Sequence, residues 1–374
     1  MNILIAMDSF KGSLNAKHVV ESVKTGIQKA NPSANIISMP IADGGEGTFE
    51  TLLTALGGFK KTIPVHDPLH RKISATYGII NHTSAIMEMA EASGLPLLKT
   101  HERDPLKTSS YGTGEMIYDA LERGIRSFVI GIGGSATNDG GTGMLSALGY
   151  RFFDEKGNVL SPHGGNLLSI NHMDASEVHP GLKETSFTIA CDVNNPLYGK
   201  DGATYVYGPQ KGAHGNTLKI LDNGLKHLAS IIEAHTGIDP SHVEGSGAAG
   251  GLGAAFYAVL NATLRSGISI VFDALNVEGA IQTSDLVITG EGQIDKQTLM
   301  GKGPGGIISL ANKHAKPVIA LAAAITDDAY ELNDNVDGLF TVANAAFTHD
   351  QMMHSTRAAL MLEYTAYNLF KFRQ

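Results

Sequence analysis

The 374-residue chain has a single cysteine, Cys191. An intrachain disulfide and a cysteine-based metal site are therefore excluded, which points to a reducing compartment. No stretch is rich in lysine or arginine, and the formal net charge is −9. A nucleic-acid footprint or a hold on an anionic membrane is not expected, and any phosphate site must draw on a few local cations. No apolar run approaches membrane-spanning length. The first one, "ILIAM", is short, leads straight into "DSFKGS" and lacks the apolar core and cleavage site of a signal peptide. It reads as a first strand, with the cytoplasm as the expected location. The fifteen histidines form no H-E-x-x-H, and neither Lys11 nor Lys302 stands in G-x-x-x-x-G-K-[ST]. A zincin site and a P-loop are not indicated. No G-x-S-x-G elbow activates Ser135, and Cys191 falls within an apolar strand, so neither reads as a nucleophile.

What is present is ample apolar content, 43%, in a chain long enough for two α/β domains. The opening alternates: apolar "NILIAM", a helix with Ala16, Val19, Val20, Val23 and Ile27 on one stripe, Pro32 as a stop, then "NIISMPI". "SFVIGI", "SFTIACDV", "DLVITGEG", "KPVIALAAA" and "DGLFTVANAA" read as short buried strands of a mainly parallel sheet. Between about residues 57 and 89 the pattern becomes short alternating runs, which reads as antiparallel structure in a second domain. The expected fold is α/β: a Rossmann-like, mainly parallel domain from residues 1–60 with 270–374, and a mixed α/β domain from residues 61–269.

Polar loops follow the predicted strands. "DSFKGS" follows the first, "ADGGEG" the second, "GGSATNDGG" the strand at Phe128, "DVNNPL" the strand at Phe187 and "GEGQID" the strand at Leu286. Ligands of open α/β sheets bind beyond the carboxyl ends of strands, so these loops predict one cleft between the domains. In "GIGGSATNDGGTGML", a strand, a glycine-rich turn and a helix start suggest an anion held by backbone N–H groups at a helix N-terminus. The competing reading is a tight βα turn. Its first residues also fit G-x-G-x-x-A, but "TNDGG" intervenes before the helix, which weighs against a dinucleotide site.

Lys11 precedes a helix for which Ser13 is the expected cap, and an ammonium and free N–H groups there suit a phosphate as well as plain solvation. Asp8 is a metal ligand, a base or a turn cap. Asp43 and Glu46 have the spacing of a capping box, with Asp43 left open as an orienting carboxylate. Asp192, directly after an apolar strand, suits a base or Mg²⁺ ligand as well as an Asx-turn. Glu291, Asp295, Thr298 and Lys302 lie within twelve residues, two acids and a cation among glycines, and that density favours phosphoryl transfer over capping. "GSGAAGGLGAAF" reads first as close packing.

The segments "DSFKGSL", "IADGGEGT", "GTGEMI", "GIGGSATNDGGTGML", "DVNNPLYGKDGA", "GPQKGA", "GAAGGLGAA" and "DLVITGEGQIDKQTLMGK" resemble, in order, the signature segments of bacterial class I glycerate kinases. The resemblance implies ATP- and Mg²⁺-dependent phosphorylation of D-glycerate, at the 2-hydroxyl, by a two-domain α/β protein. It implies no nucleic-acid or membrane partner and leaves the oligomeric state open, with a homodimer considered. The candidate catalytic residues are then Lys11, Asp43, Asp192 and Asp295. Ser9, Arg71, Gly133, Gly134, Ser135, Thr137, Asn138, Lys211 and Lys302 are the candidates for binding substrate and phosphate, and Asp192, Glu291 and Asp295 for metal. Met7, His70 and Ala323 stand where the family commonly has proline, glycine and glycine. The alternatives weighed are a nicotinamide-dependent oxidoreductase and a non-catalytic organic-acid sensor.

Overall fold

A computed structural model describes residues 1–42, 48–296, 298 and 303–372. Along these the strands are β1 (Asn2–Met7), β2 (Asn35–Pro40), β3 (Phe59–His66), β4 (Lys72–Ile80), β5 (Ser84–Glu88), β6 (Ser127–Gly131), β7 (Arg151–Phe153), β8 (His172–Asp174), β9 (Ser186–Ala190), β10 (Thr263–Arg265), β11 (Leu286–Ile294), β12 (Val318–Ile325) and β13 (Gly338–Thr341). Two compact units form, one from Met1–Leu56 with Ile268–Gln374 and the other from Gly57–Gly267.

The first unit carries a parallel sheet in the order β13-β12-β11-β1-β2. Residues 3–7 are completely buried because both faces of β1 are covered, as a parallel sheet requires. Ile3, Ile5 and Met7 join one core with the helices Ala16–Ala30 and Ser355–Phe372, while Leu4 and Ala6 join the other. The stripe expected on the first helix is the buried one. Its cap, however, is Asn15, whose side chain accepts from His18 N–H at 3.0 Å, and not Ser13. The chain first closes a turn in which Leu14 N–H and Ser13 N–H both donate to Phe10 C=O, so the helix begins two residues late. Numbered within this unit the strand order is 2-1-3-4-5. The order reverses between β1 and β11, and their carboxyl ends form the topological switch point where such sheets bind ligands.

The second unit carries a six-stranded sheet, β10-β9-β6-β5-β4-β3. The antiparallel part expected from residues 57–89 is β3-β4-β5, and β5 pairs in parallel with β6 on its other side. Pro64 is tolerated in β3 because that strand is an edge. The β7-β8 pair and β10 are too short to leave a periodic signal.

Candidate active site

At the switch point, Asp8 follows β1 directly, is 4% exposed, and its Oδ1 accepts from Ser9 N–H at 2.5 Å. Lys11 is exposed at the tip of the turn after it. Gly292 of β11 lies against that turn: a side chain begun there would stand 3.3 Å from Phe10 Cα and 3.5 Å from Lys11 N. This close approach brings the end of β11 alongside Lys11. Thr298 Oγ1 donates to Glu291 Oε1 at 2.9 Å and accepts from Asp295 N–H at 3.2 Å, folding the acidic segment back on itself. Burial drives the Glu291 pKa up to about 7, with Asp8 and Asp295 adding to the rise and Thr298 and Lys11 opposing it. Lys11, Glu291 and Asp295 are therefore electrostatic neighbours. Asp43, Glu46 and Lys302 lie outside the described residues.

In the second unit the glycine-rich loop leaves the end of β6. Gly133 and Gly134 are exposed, and nothing stands within 4 Å of where a Gly133 side chain would begin. The rest of the loop is locked. Gly134 C=O accepts from Leu95 N–H at 2.8 Å, Ala136 N–H donates to Ser93 C=O at 2.9 Å, and Thr108 Oγ1 donates to Ala136 C=O at 3.0 Å. Ser135 Oγ accepts from Thr137 N–H at 3.1 Å, and Asn138 Nδ2 donates to Thr204 Oγ1 at 3.1 Å. Ser135, Thr137 and Asn138 thus turn inward and hold the loop's shape, leaving Gly133 and Gly134 as its open face.

An anion does sit at the N-terminus of the helix Thr142–Ala147, and it belongs to the chain. The fully buried Asp139 carboxylate accepts from Ser110 N–H and Ser110 Oγ, both at 2.8 Å, and from Gly141 and Gly143 N–H, both at 3.2 Å. Burial raises its pKa against the pull of these donors. The N–H groups a phosphate would need are taken, and the helix starts six residues after Ala136, which removes the geometric basis of a dinucleotide fingerprint.

Lys211 is 2% exposed beneath this loop. Its Nζ donates to Thr137 C=O at 2.7 Å and to Ser135 Oγ at 3.3 Å. Burial lowers its pKa to about 7, with the Asp139 charge opposing. Asp192 is exposed two residues beyond β9, and its Oδ1 accepts from Gly267 N–H at 3.0 Å. Gly131 and Ala190 are register partners of adjacent parallel strands, roughly 4.8 Å apart, so Asp192 and Gly133 leave neighbouring strand ends.

Arg71 ends the turn after β3. Its Nε donates to Asp67 at 2.5 Å, Nη1 to Glu102 at 2.7 Å and Nη2 to Leu97 C=O at 3.3 Å. Ser109 N–H donates to Pro68 C=O at 3.0 Å, tying this turn to the segment that braces the loop. His70 takes φ +59°, the left-handed region that explains the family's glycine.

Sequence reasoning missed Ser110, whereas the residues 249–251, read first as close packing, do pack against the glycine-rich loop. Ala249, Gly250 and Gly251 all have positive φ, and a side chain on Gly250 would begin 2.1 Å from Thr137 C=O. Gly140 N–H donates to Gly250 C=O at 3.0 Å, so the second glycine run is a packing surface for the first. The density of glycines in "GAAGGLG" was the available signal. Among the described residues no group of three His, Cys, Asp or Glu side chains is placed to hold a metal. Mg²⁺ is commonly held by one or two carboxylates completed by substrate phosphates, and the oxygen donors of Glu291 and Asp295 fit that habit.

The family model described as the glycerate kinase family matches residues 3–374. The chain is 46% identical to glycerate 2-kinase of Escherichia coli K12, over 94% of this chain and 93% of that protein. It is 42% identical to a glycerate kinase of Halalkalibacterium halodurans, over 98% and 97%. A Salmonella typhimurium LT2 protein assigned as glycerate kinase 2 has a crystal structure that superposes with a TM-score of 0.90 at 42% identity, covering 100% of this chain and 98% of that one.

Proposed function

The chain belongs to the glycerate kinase family, and on that premise we propose that it transfers the γ-phosphate of ATP to the 2-hydroxyl of D-glycerate in the cytoplasm, giving 2-phospho-D-glycerate and ADP. The observation that carries the reading is the switch point. A lysine, two neighbouring carboxyl groups and a close backbone approach meet where an open parallel sheet binds ligands. Phosphoryl transfer needs little beyond positioning and charge neutralisation, and this inventory supplies both.

Lys11 offsets charge on the transferring phosphoryl group, and Lys302 is assigned the same task. Glu291 and Asp295, with Asp192, would hold Mg²⁺, which would supply neutralising charge to the phosphates. Asp43 and Asp192 orient the acceptor hydroxyl. Gly133 and Gly134 admit the ligand to the backbone, with Ser135, Thr137 and Asn138 fixing that surface. Ser9 N–H is already engaged by Asp8, so the contribution left to Ser9 is its hydroxyl. Arg71 is assigned the glycerate carboxylate. To take it bidentately the guanidinium exchanges Glu102, its more exposed acidic partner, for the substrate. An anchored carboxylate places the adjacent 2-hydroxyl most rigidly, whereas the 3-hydroxyl keeps a further rotatable bond.

The test is ADP formation over many turnovers, with D-glycerate and Mg²⁺ each omitted in turn. Release that requires both supports the kinase reading. Tight binding of D-glycerate without ADP release makes the protein a sensor and ends it.

A further inference from the structure

Lys211 is an unusual residue to find at 2% exposure, and it is enclosed by the polar backbone of the glycine-rich loop. Its Nζ reaches Thr137 C=O and Ser135 Oγ, two residues that turn their polar atoms away from solvent and leave Gly133 and Gly134 facing outward. Few charges face it. The loop itself contributes Asp139, committed to four donors of its own. From the preceding segment, Arg103 Nη1 donates to the carbonyl of Gln210, next to Lys211, at 3.4 Å. Residues 249–251 bring no ionisable group. Lys211 Nζ is thus buried behind the open face of the loop, and among the described residues no carboxylate is bonded to it.

We propose that Lys211 is a positioning residue that acts as a proton-linked counter-charge: when an anionic group of the substrate settles on Gly133 and Gly134, Lys211 takes up a proton from solvent and holds the loop as an ammonium. This rests on the reading that the loop binds an anion of the substrate pair. Burial disfavours the charged form of the lysine and lowers its pKa to about 7, and Asp139 compensates only in part. An anion placed across one layer of backbone favours the charged form, and linkage requires that a group whose pKa rises on binding takes up protons. A rise of one pKa unit makes the ligand's dissociation constant about tenfold larger at pH 9 than at pH 6.

Calorimetry in two buffers of different ionisation enthalpy measures the proton count directly. D-glycerate, whose carboxylate stays ionised from pH 6 to 9, and MgADP are titrated separately into the full chain, into Lys211→Met and into Gly133→Leu. The expected result is uptake of a fraction of a proton near pH 8 with one of the two ligands, lost in Lys211→Met, together with flattening of the roughly tenfold pH dependence of binding. A lysine that only braced the fold would change affinity without changing the proton count. Wild-type binding with no uptake from pH 7 to 9 overturns the proposal even if Lys211→Met does not fold. So does uptake that persists unchanged in Lys211→Met. If Gly133→Leu binds both ligands as the wild type does, the loop is not an anion site and the underlying reading fails instead.

Discussion

Asp139 offers the sharpest test of how the glycine-rich loop is built. Replacing it with alanine strips the acceptor from Ser110 N–H, Ser110 Oγ, Gly141 N–H and Gly143 N–H, all buried. The serine hydroxyl can rotate to another acceptor, but Gly141 and Gly143 N–H are fixed by the start of the helix Thr142–Ala147 and Ser110 N–H by the start of the helix Tyr111–Glu122. At about 1–3 kcal/mol for each buried donor left without a partner, the loss is about 3–9 kcal/mol. Removing a buried carboxylate also relieves its desolvation, the effect that raises its pKa, so the net destabilisation is expected at the lower end, about 3–5 kcal/mol. Asparagine keeps its oxygen where Oδ2 accepts from Ser110 and Gly143 and turns its NH₂ toward Gly141 alone, for a loss of about 1–2 kcal/mol. Urea unfolding followed by circular dichroism gives both values. The order wild type, Asp139→Asn, Asp139→Ala is the expected one. An alanine variant within about 0.5 kcal/mol of wild type refutes the account, because a carboxylate facing a ligand could be removed at no more than that cost.

Lys211, with its pKa near 7 against an ordinary value of about 10.4, is charged less readily folded than unfolded. The unfolded chain then binds the extra proton between those values, so stability rises with pH across that window by up to about 1.4 kcal/mol per unit. Urea midpoints at pH 7, 8 and 9 should lose this slope in Lys211→Met. Glu291, with a pKa near 7, should give kcat/KM an acid limb that Glu291→Gln abolishes, and an unchanged limb would remove Glu291 from the free enzyme's essential groups. Lys11→Ala should lose most of kcat with the fold intact, and wild-type turnover would take Lys11 out of the site. Asp192→Asn keeps an oxygen for Gly267 N–H, so it should fold normally yet lose activity; an active variant would leave Asp192 with its capping role alone.

The fold was legible wherever burial imposes a period. Five residues of the first helix and the apolar runs of β1, β6, β9, β11 and β12 announce themselves because each must bury a face or both faces. Ser13 and Asn15 are both good caps, and only the turn closing on Phe10 decides between them. The positions of the loops at strand ends were equally legible, but not what their side chains do. The inward role of Asp139 is not legible in the sequence because its partner Ser110 lies 29 residues away. "GPQKGA" carries no sign that its lysine is buried. Asp67 meets Arg71 through the turn between β3 and β4, which no helical spacing rule anticipates, and Glu102 arrives only through tertiary folding. The left-handed turn at His70 was foreshadowed by the glycine it replaces.

The measurement that bears most directly on the proposed activity couples the reaction to enolase in the absence of phosphoglycerate mutase. ATP, Mg²⁺ and D-glycerate are supplied, and ADP and phosphoenolpyruvate are followed together. Transfer to the 2-hydroxyl predicts prompt phosphoenolpyruvate in step with ADP. ADP accompanied by phosphoenolpyruvate only after mutase is added would make the 3-hydroxyl the acceptor and contradict the assignment of the product.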